Sequence, residues 1–140
     1  MHYQIKLFSQ LDAELKKNWI NLEKDSNYAC FNSLSWVENY ILSYKDITKK
    51  SNLRIFIIFY KEEPVCIFPF EIVKKFKTNI LQWACDSKAD FNAPIRKNNF
   101  NFEEKTFKDL WKKILNMLPE VDLVYLKKQI DFLETQNNPL

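Results

Sequence analysis

Two apolar runs, Leu53 to Tyr60 (LRIFIIFY) and Val65 to Val73 (VCIFPFEIV), stand on either side of a short polar segment, KEEP. β-Branched and aromatic runs flanking a polar turn are the signature of a hairpin. In the first run Ile55, Ile57 and Phe59 alternate with Phe56, Ile58 and Tyr60, and side chains alternate between the two faces of a strand. Both faces are therefore apolar and both must be covered, so the pair belongs in the interior of a sheet. Pro69 cannot donate to a ladder, which predicts a bulge or a break in pairing near Phe68 to Phe70.

What can cover such a hairpin follows from the rest of the chain. Its 140 residues suit one domain, able to remove roughly 65 to 70% of its unfolded surface from water. With twelve Phe, six Tyr and four Trp the interior is ring-rich. The net charge of +3 arises from 21 basic and 18 acidic residues spread along the chain. Phosphate neutralisation needs a concentrated stripe of cations, so nucleic acid is excluded as a partner. Cys30, Cys66 and Cys85 share no metal-type spacing and are expected as buried free thiols in a reducing compartment. The opening MHYQIKLFSQ lacks a leader pattern, and no run approaches the ~18 apolar residues of a membrane span. A cytoplasmic protein without a membrane span is expected.

There is no glycine. Every glycine-dependent phosphate loop is thereby excluded as written, and asparagines are expected at turns that need a positive φ.

Along the chain, Tyr3 to Phe8 alternates as a first strand. Ser9 with Asp12 reads as a variant cap for a helix over Leu11 to Lys24, striped by Leu11, Leu15, Trp19 and Leu22. Ser33 caps a second helix with Leu34, Val37, Ile41 and Tyr44 on one stripe and Trp36 and Tyr40 beside it. After the hairpin, Asn79 to Cys85 reads as a strand, and Asp86 to Asn99 as a long loop with a short strand at Ala93 to Arg96. From Asn101 a third helix carries Phe107, Leu110, Trp111, Ile114, Leu115 and Leu118 at helical spacing until Pro119 stops it. Val121 to Leu126 is the next strand, and Lys127 to Leu140 reads as turn or coil. The order fits an α/β domain with a mixed sheet and helices covering both faces.

That order is also the order of elements in the GNAT superfamily of acyl-CoA-dependent acyltransferases, and local motifs narrow the resemblance. Phe31-Asn32-Ser33-Leu34-Ser35-Trp36 resembles the F-x-S-x-x-W lead into the second helix of the CelD/BcsL-like group. Cys66-Ile67-Phe68-Pro69-Phe70 is similar to its apolar strand closing in Pro and an apolar residue. Asp90-Phe91-Asn92 resembles its D-Y-x stretch, Val121 to Leu126 its D-x-V-x-L strand, and Asn138-Pro139-Leu140 its N-P stretch.

The resemblance implies a GNAT-like mixed, mostly antiparallel sheet flanked by helices on both faces. It implies that residues 1–140 are a single domain, the N-terminal half of a tandem acyltransferase whose acyl-CoA-binding second half is absent. Asp86 to Lys105 takes the place of the Q/R-x-x-G-x-G/A turn without a glycine. No cofactor residues are therefore expected in this chain, and acyl-CoA enters as co-substrate of the complete enzyme. The expected partners are a second GNAT-like domain, or another copy through self-association, and a small-molecule or polysaccharide-precursor acceptor. The expected function is the acceptor side of an N- or O-acyltransferase, inactive alone. The alternative is a non-enzymatic binding or interaction domain with a degenerate GNAT fold.

Among the side chains, His2 is the only histidine, which leaves histidine-based catalysis and metal binding without support. Glu71 can act as a general base if burial raises its pKa, or is a solvated carboxylate where its strand leaves the sheet. Asp90, Phe91 and Asn92 follow a strand, where α/β sheets place ligand contacts. They line an acceptor cleft, or Asp90 and Asn92 cap turns. Trp36 and Tyr40 stack on the acceptor or belong to the core. Lys74, Lys75 and Lys77 read as a solvated edge guard.

Overall fold

The computed structural model describes residues 2–43, 52–133 and 136–140. Tyr44 and the connection into the hairpin lie outside the described residues. In chain order the elements are β1 (Tyr3–Phe8), α1 (Ala13–Glu23), β2 (Ser26–Asn27), α2 (Leu34–Ser43), β3 (Leu53–Tyr60), β4 (Glu63–Lys75), β5 (Thr78–Trp83) and β6 (Ile95–Lys97). Then come α3 (Glu104–Asn116), β7 (Leu123–Val124), β8 (Phe132–Leu133) and β9 (Gln136–Asn137), and short 3-10 turns occupy Cys30–Asn32 and Asp86–Lys88.

The apolar hairpin is the centre. β3 lies between β1 and β4, both antiparallel, and β4 continues to β5 and β7. Only β5 and β7 run parallel, Ile80 opposite Leu123 and Leu81 opposite Val124, so the sheet is mixed and mostly antiparallel. Alternation on the hairpin sorts the core into two layers. Leu53, Ile55, Ile57 and Ile67 pack under α1 and α2 with Leu15, Trp19, Leu22, Leu34 and Val37. Phe56, Ile58, Phe68 and Phe70 pack under α3 with Phe107, Leu110, Ile114 and Leu118. Each fully buried side chain of this size contributes about 1.5–3 kcal/mol.

The hairpin turn is Lys61-Glu62, both at positive φ (48° and 69°), with Tyr60 opposite Glu63. Two central residues at positive φ make the primed turn whose twist matches a hairpin. Asparagine was expected at such positions, but among the described residues those at positive φ are Lys61, Glu62, Phe76, Cys85, Asn99 and Lys128, of which one alone is Asn. Tertiary constraint overrides local preference there, at about 1–2 kcal/mol per residue.

The bulge is displaced from its expected place. The β3–β4 register shifts between Ile58 and Phe59, leaving Val65 extra, while Pro69 pairs without interruption opposite Ile55. The expected break is real on the other edge of β4, where β6 pairs with Cys66 and Ile67 and β5 pairs from Phe70 onward. Phe68 and Pro69 pair with neither, and the sheet forks there. The Pro69 carbonyl accepts from the Ala84 N–H at 2.8 Å. Since N–H and C=O of one residue leave a strand on the same side, the donor that Pro69 lacks is the one that would face the fork.

Other boundaries also move. Asp12 alone caps α1, its Oδ1 accepting from the Leu15 N–H at 2.8 Å, so the helix starts at Ala13 rather than Leu11. Ser33 caps α2 as expected, accepting from the Trp36 N–H at 3.2 Å. α3 starts at Glu104 and ends at Asn116, ahead of Pro119. The predicted strand over Val121 to Leu126 shortens to Leu123–Val124, and the short one shifts to Ile95–Lys97. The tail is not coil throughout: β8 and β9 form a small hairpin, and Asn92 bridges in parallel to Gln129. Among the described residues no helix is long and apolar enough to cross a membrane.

Candidate functional site

The fork places the polar groups. At the end of β5 the chain turns through Cys85, left-handed at φ 65°, into the Asp86–Lys88 turn. Glu71 on β4 stands opposite Gln82 on β5, and the Gln82 amide donates to its Oε1 at 3.1 Å. Glu71 is buried, 6% exposed, so it is not the solvated carboxylate of the alternative reading. Burial pushes its pKa up; donors from Gln82 and the Cys85 N–H hold it down in part, and the Asp86 charge adds to the rise. Cys66 and Cys85 are buried and their thiols are pushed up by burial, but Cys30 is exposed, against the expectation of three buried thiols.

Beside Glu71 lies a buried amide and carboxylate node. Asp86 Oδ1 accepts from Asn92 Nδ2 at 3.2 Å, and its Oδ2 lies 3.1 Å from Lys127 Nζ. Asn92 Oδ1 accepts from Asn32 Nδ2 at 3.2 Å, and Asn32 Oδ1 accepts from the Ala93 N–H at 3.0 Å. Lys128 Nζ donates to the carbonyls of Asp86 and Ala89 at 2.8 and 2.7 Å. Asp86, Asn32 and Asn92 are all buried. Three loops are thereby tied together: the turn before α2, the segment after β5, and the segment after β7.

An aromatic rim stands on this node. Phe31 meets Trp36 edge-on at 5.1 Å and Phe91 edge-on at 5.2 Å. Phe31 precedes Asn32 and Phe91 precedes Asn92, so each inward amide fixes the loop on which its neighbouring ring sits. Trp36 is 37% and Phe91 36% exposed, and Asp90 is exposed beside them. The structure thus brings Trp36, Asp90, Phe91 and Asn92 together, with Asn92 inside the node rather than on its surface. Tyr40 packs against the core under α2 instead. Lys74, Lys75 and Lys77 are exposed at the β4–β5 turn.

Phe31, Asn32, Gln82, Asp86 and Lys127 were not singled out from the sequence as site residues. The Phe-Asn dipeptide at both 31–32 and 91–92 is the signal that can find the first two, although Phe100-Asn101 repeats it elsewhere. Asp86 and Lys127 are 41 positions apart with nothing local to pair them.

Two further features bound the chemistry. The first turn of α3 carries Glu104 behind Glu103 at the cap position, with no side-chain cap. A helix start attracts anions through its free N–H groups, and two carboxylates there oppose a diphosphate. Among the described residues no group of three or more His, Cys, Asp or Glu can hold a metal ion, and His2 is exposed. A cavity of about 340 Å³ between α1 and α2, lined by Leu11, Lys16, Glu38, Ile41 and Leu42, contains none of these residues.

Glu71 gives a pH prediction. Its folded pKa lies above the unfolded value, so the native state holds the proton more tightly. Stability is fully present below the unfolded carboxylate range and is lost as pH rises through the folded pKa. Glu71→Gln is expected to flatten that decline and to equal or exceed the native chain in stability at pH 7. Urea unfolding at pH 4 to 8 reads it; an unchanged pH slope contradicts it.

No family model matches this chain, and no curated protein matches it. Among solved structures it is similar to an aminoglycoside acetyltransferase from an uncultured soil metagenomic sample. The complex with sisomicin gives a TM-score of 0.48 at 7% identity, and the complex with trehalose 0.49 at 8%. Each alignment covers 90% of this chain and 77% of that chain.

Proposed function

We propose that this chain is the acceptor-side domain of a GNAT-type, acyl-CoA-dependent N- or O-acyltransferase of the CelD/BcsL-like kind, completed by a second GNAT-like domain. In the complete enzyme the acceptor's amine or hydroxyl attacks the thioester carbonyl. A C–N or C–O bond forms, the C–S bond breaks, and the acceptor's proton leaves with the coenzyme thiolate. The observation that carries the reading is the edge-on Trp36–Phe31–Phe91 cluster, exposed at Trp36 and Phe91, with Asp90 beside it, held by a buried node at the fork of the sheet. Such a rim suits an acceptor with an apolar ring face and amino or hydroxyl groups, either a small molecule or a polysaccharide precursor. The other domain has an open edge to meet: Leu123, Val124 and Tyr125 on and beside β7 are exposed in succession.

A second reading, a non-enzymatic binding domain of the same fold, draws its support from Glu71, whose carboxylate is buried and does not line the cavity between α1 and α2. Both readings use the rim. Titrating the chain with a panel of amino sugars and polyols, followed by NMR shifts of the indole N–H groups, tests it. Binding is expected to perturb Trp36, and Trp36→Ala to weaken it about fivefold, the worth of one ring contact. Binding that leaves Trp36 unperturbed contradicts the rim as the acceptor site.

A further inference from the structure

The β4–β5 hairpin ends in a finger. The pairing of β3 with β4 reaches no further than Leu53 opposite Glu71, and β7 joins β5 only from Leu123 opposite Ile80. From Lys74 to Thr78 the ladder therefore extends beyond the registered pairs of both neighbouring strands. At its tip Phe76 is 101% exposed, whereas the next most exposed large apolar side chain among the described residues, Phe132, stands at 62%. Lys74, Lys75 and Lys77 flank it and are exposed, and the sequence has no acidic residue between Ile72 and Cys85. The foot of the finger is braced. Asp122 Oδ2 accepts from the Asn79 N–H at 2.8 Å, Asn79 Nδ2 donates to the Glu120 carbonyl at 2.9 Å, and the Glu120 carboxylate pairs with Arg54 at 3.0 Å.

Folding gives no reason for a phenylalanine at this tip. Its φ is 55°, in the left-handed region where a bulky side chain is an outlier and asparagine is enriched, and its ring buries nothing. What the finger offers is an aromatic ring held clear of the fold among three cations. We infer that it docks the chain on an anionic lipid bilayer, Phe76 entering beneath the headgroups while Lys74, Lys75 and Lys77 lie against their negative charges. A bilayer has an apolar layer directly under a sheet of anionic charge, which is the order of groups on the finger. Single-stranded nucleic acid is held instead by a cationic groove lined with several stacking rings. Each lysine at such a surface is worth about fivefold and the buried ring about tenfold or more. The sum is a reversible association on the order of 10³–10⁴ M⁻¹, at or below that of one myristoyl chain. The node and the rim lie past the far end of β5, roughly 20 Å from the tip.

Co-sedimentation of the full chain with vesicles of phosphatidylcholine, alone or mixed with phosphatidylserine, is the direct test. Saturable binding to the mixed vesicles is expected at roughly millimolar lipid, weakening as salt is raised. Phe76→Asn is expected to keep or raise the thermal midpoint, because asparagine suits the backbone there, and yet to lose about tenfold in binding. Phe76→Trp should bind at least as well as the native chain, since indole favours the membrane interface. Changing Lys74, Lys75 and Lys77 together to Gln should cost about a hundredfold. Equal binding to neutral vesicles, no binding at roughly millimolar phosphatidylserine-containing lipid, or native binding by Phe76→Asn overturns the proposal. So does binding of a thymidine oligonucleotide that depends on Phe76 while vesicles are ignored.

Discussion

Asn92→Leu is expected to cost about 3–5 kcal/mol of folding stability, far above the average for a single substitution. The leucine fills nearly the same volume, so the loss is electrostatic. Asn92 Nδ2 no longer donates to Asp86, Asn32 Nδ2 loses its acceptor, and the Asp86 carboxylate, 3% exposed, keeps Lys127 alone among its side-chain partners. Urea unfolding should show the midpoint falling with the slope unchanged. A cost below about 1 kcal/mol would mean that the node does not hold the three loops. The rim should suffer as well, because the loop that carries Phe91 loses its anchor.

The second large effect is at Trp83, the last residue of β5 before the fork. It is fully buried against Phe70, with ring centres 4.9 Å apart. Trp83→Ala opens a cavity at the point where β4 loses its neighbour, and about 3–5 kcal/mol is expected to go with it. The indole Nε1 is buried without a hydrogen-bond partner among the described residues. Trp83→Phe discards that unsatisfied donor while keeping most of the ring, so its cost is expected to stay below about 1.5 kcal/mol. Equal losses from the two variants would show that the donor, not the volume, is what the site requires.

Residues on which pattern acts locally were legible from the sequence. The two-faced alternation of Leu53 to Tyr60 placed the hairpin in the interior, and the spacing of Phe107, Leu110 and Ile114 placed α3 on a sheet. The long-range pairings were not legible. Nothing near Pro69 says that β6 takes one half of the β4 edge and β5 the other, so the break was anticipated while the fork was not. The tail was read as coil because its hairpin is two residues per strand and its fastenings reach back to Lys97 and Asn92. In the site the exposed members, Trp36, Asp90 and Phe91, could be named from motif and loop position. The amides and charges that hold them, Asn32, Asp86 and Lys127, are brought together by the fold alone. Left-handed positions such as Lys61 and Cys85 carry no local signal, because this chain has no glycine to mark them.

The account rests on the coenzyme being bound elsewhere. A diphosphate needs close approach to free backbone N–H groups at a helix start. Here the segment from Asp86 to Lys105 has no glycine and leads into α3 through Glu103 and Glu104. Isothermal titration of the full chain with acetyl-CoA measures this most directly. No saturable heat is predicted up to roughly millimolar coenzyme, an affinity weaker than about −4 kcal/mol; one-to-one binding in the micromolar range would contradict it.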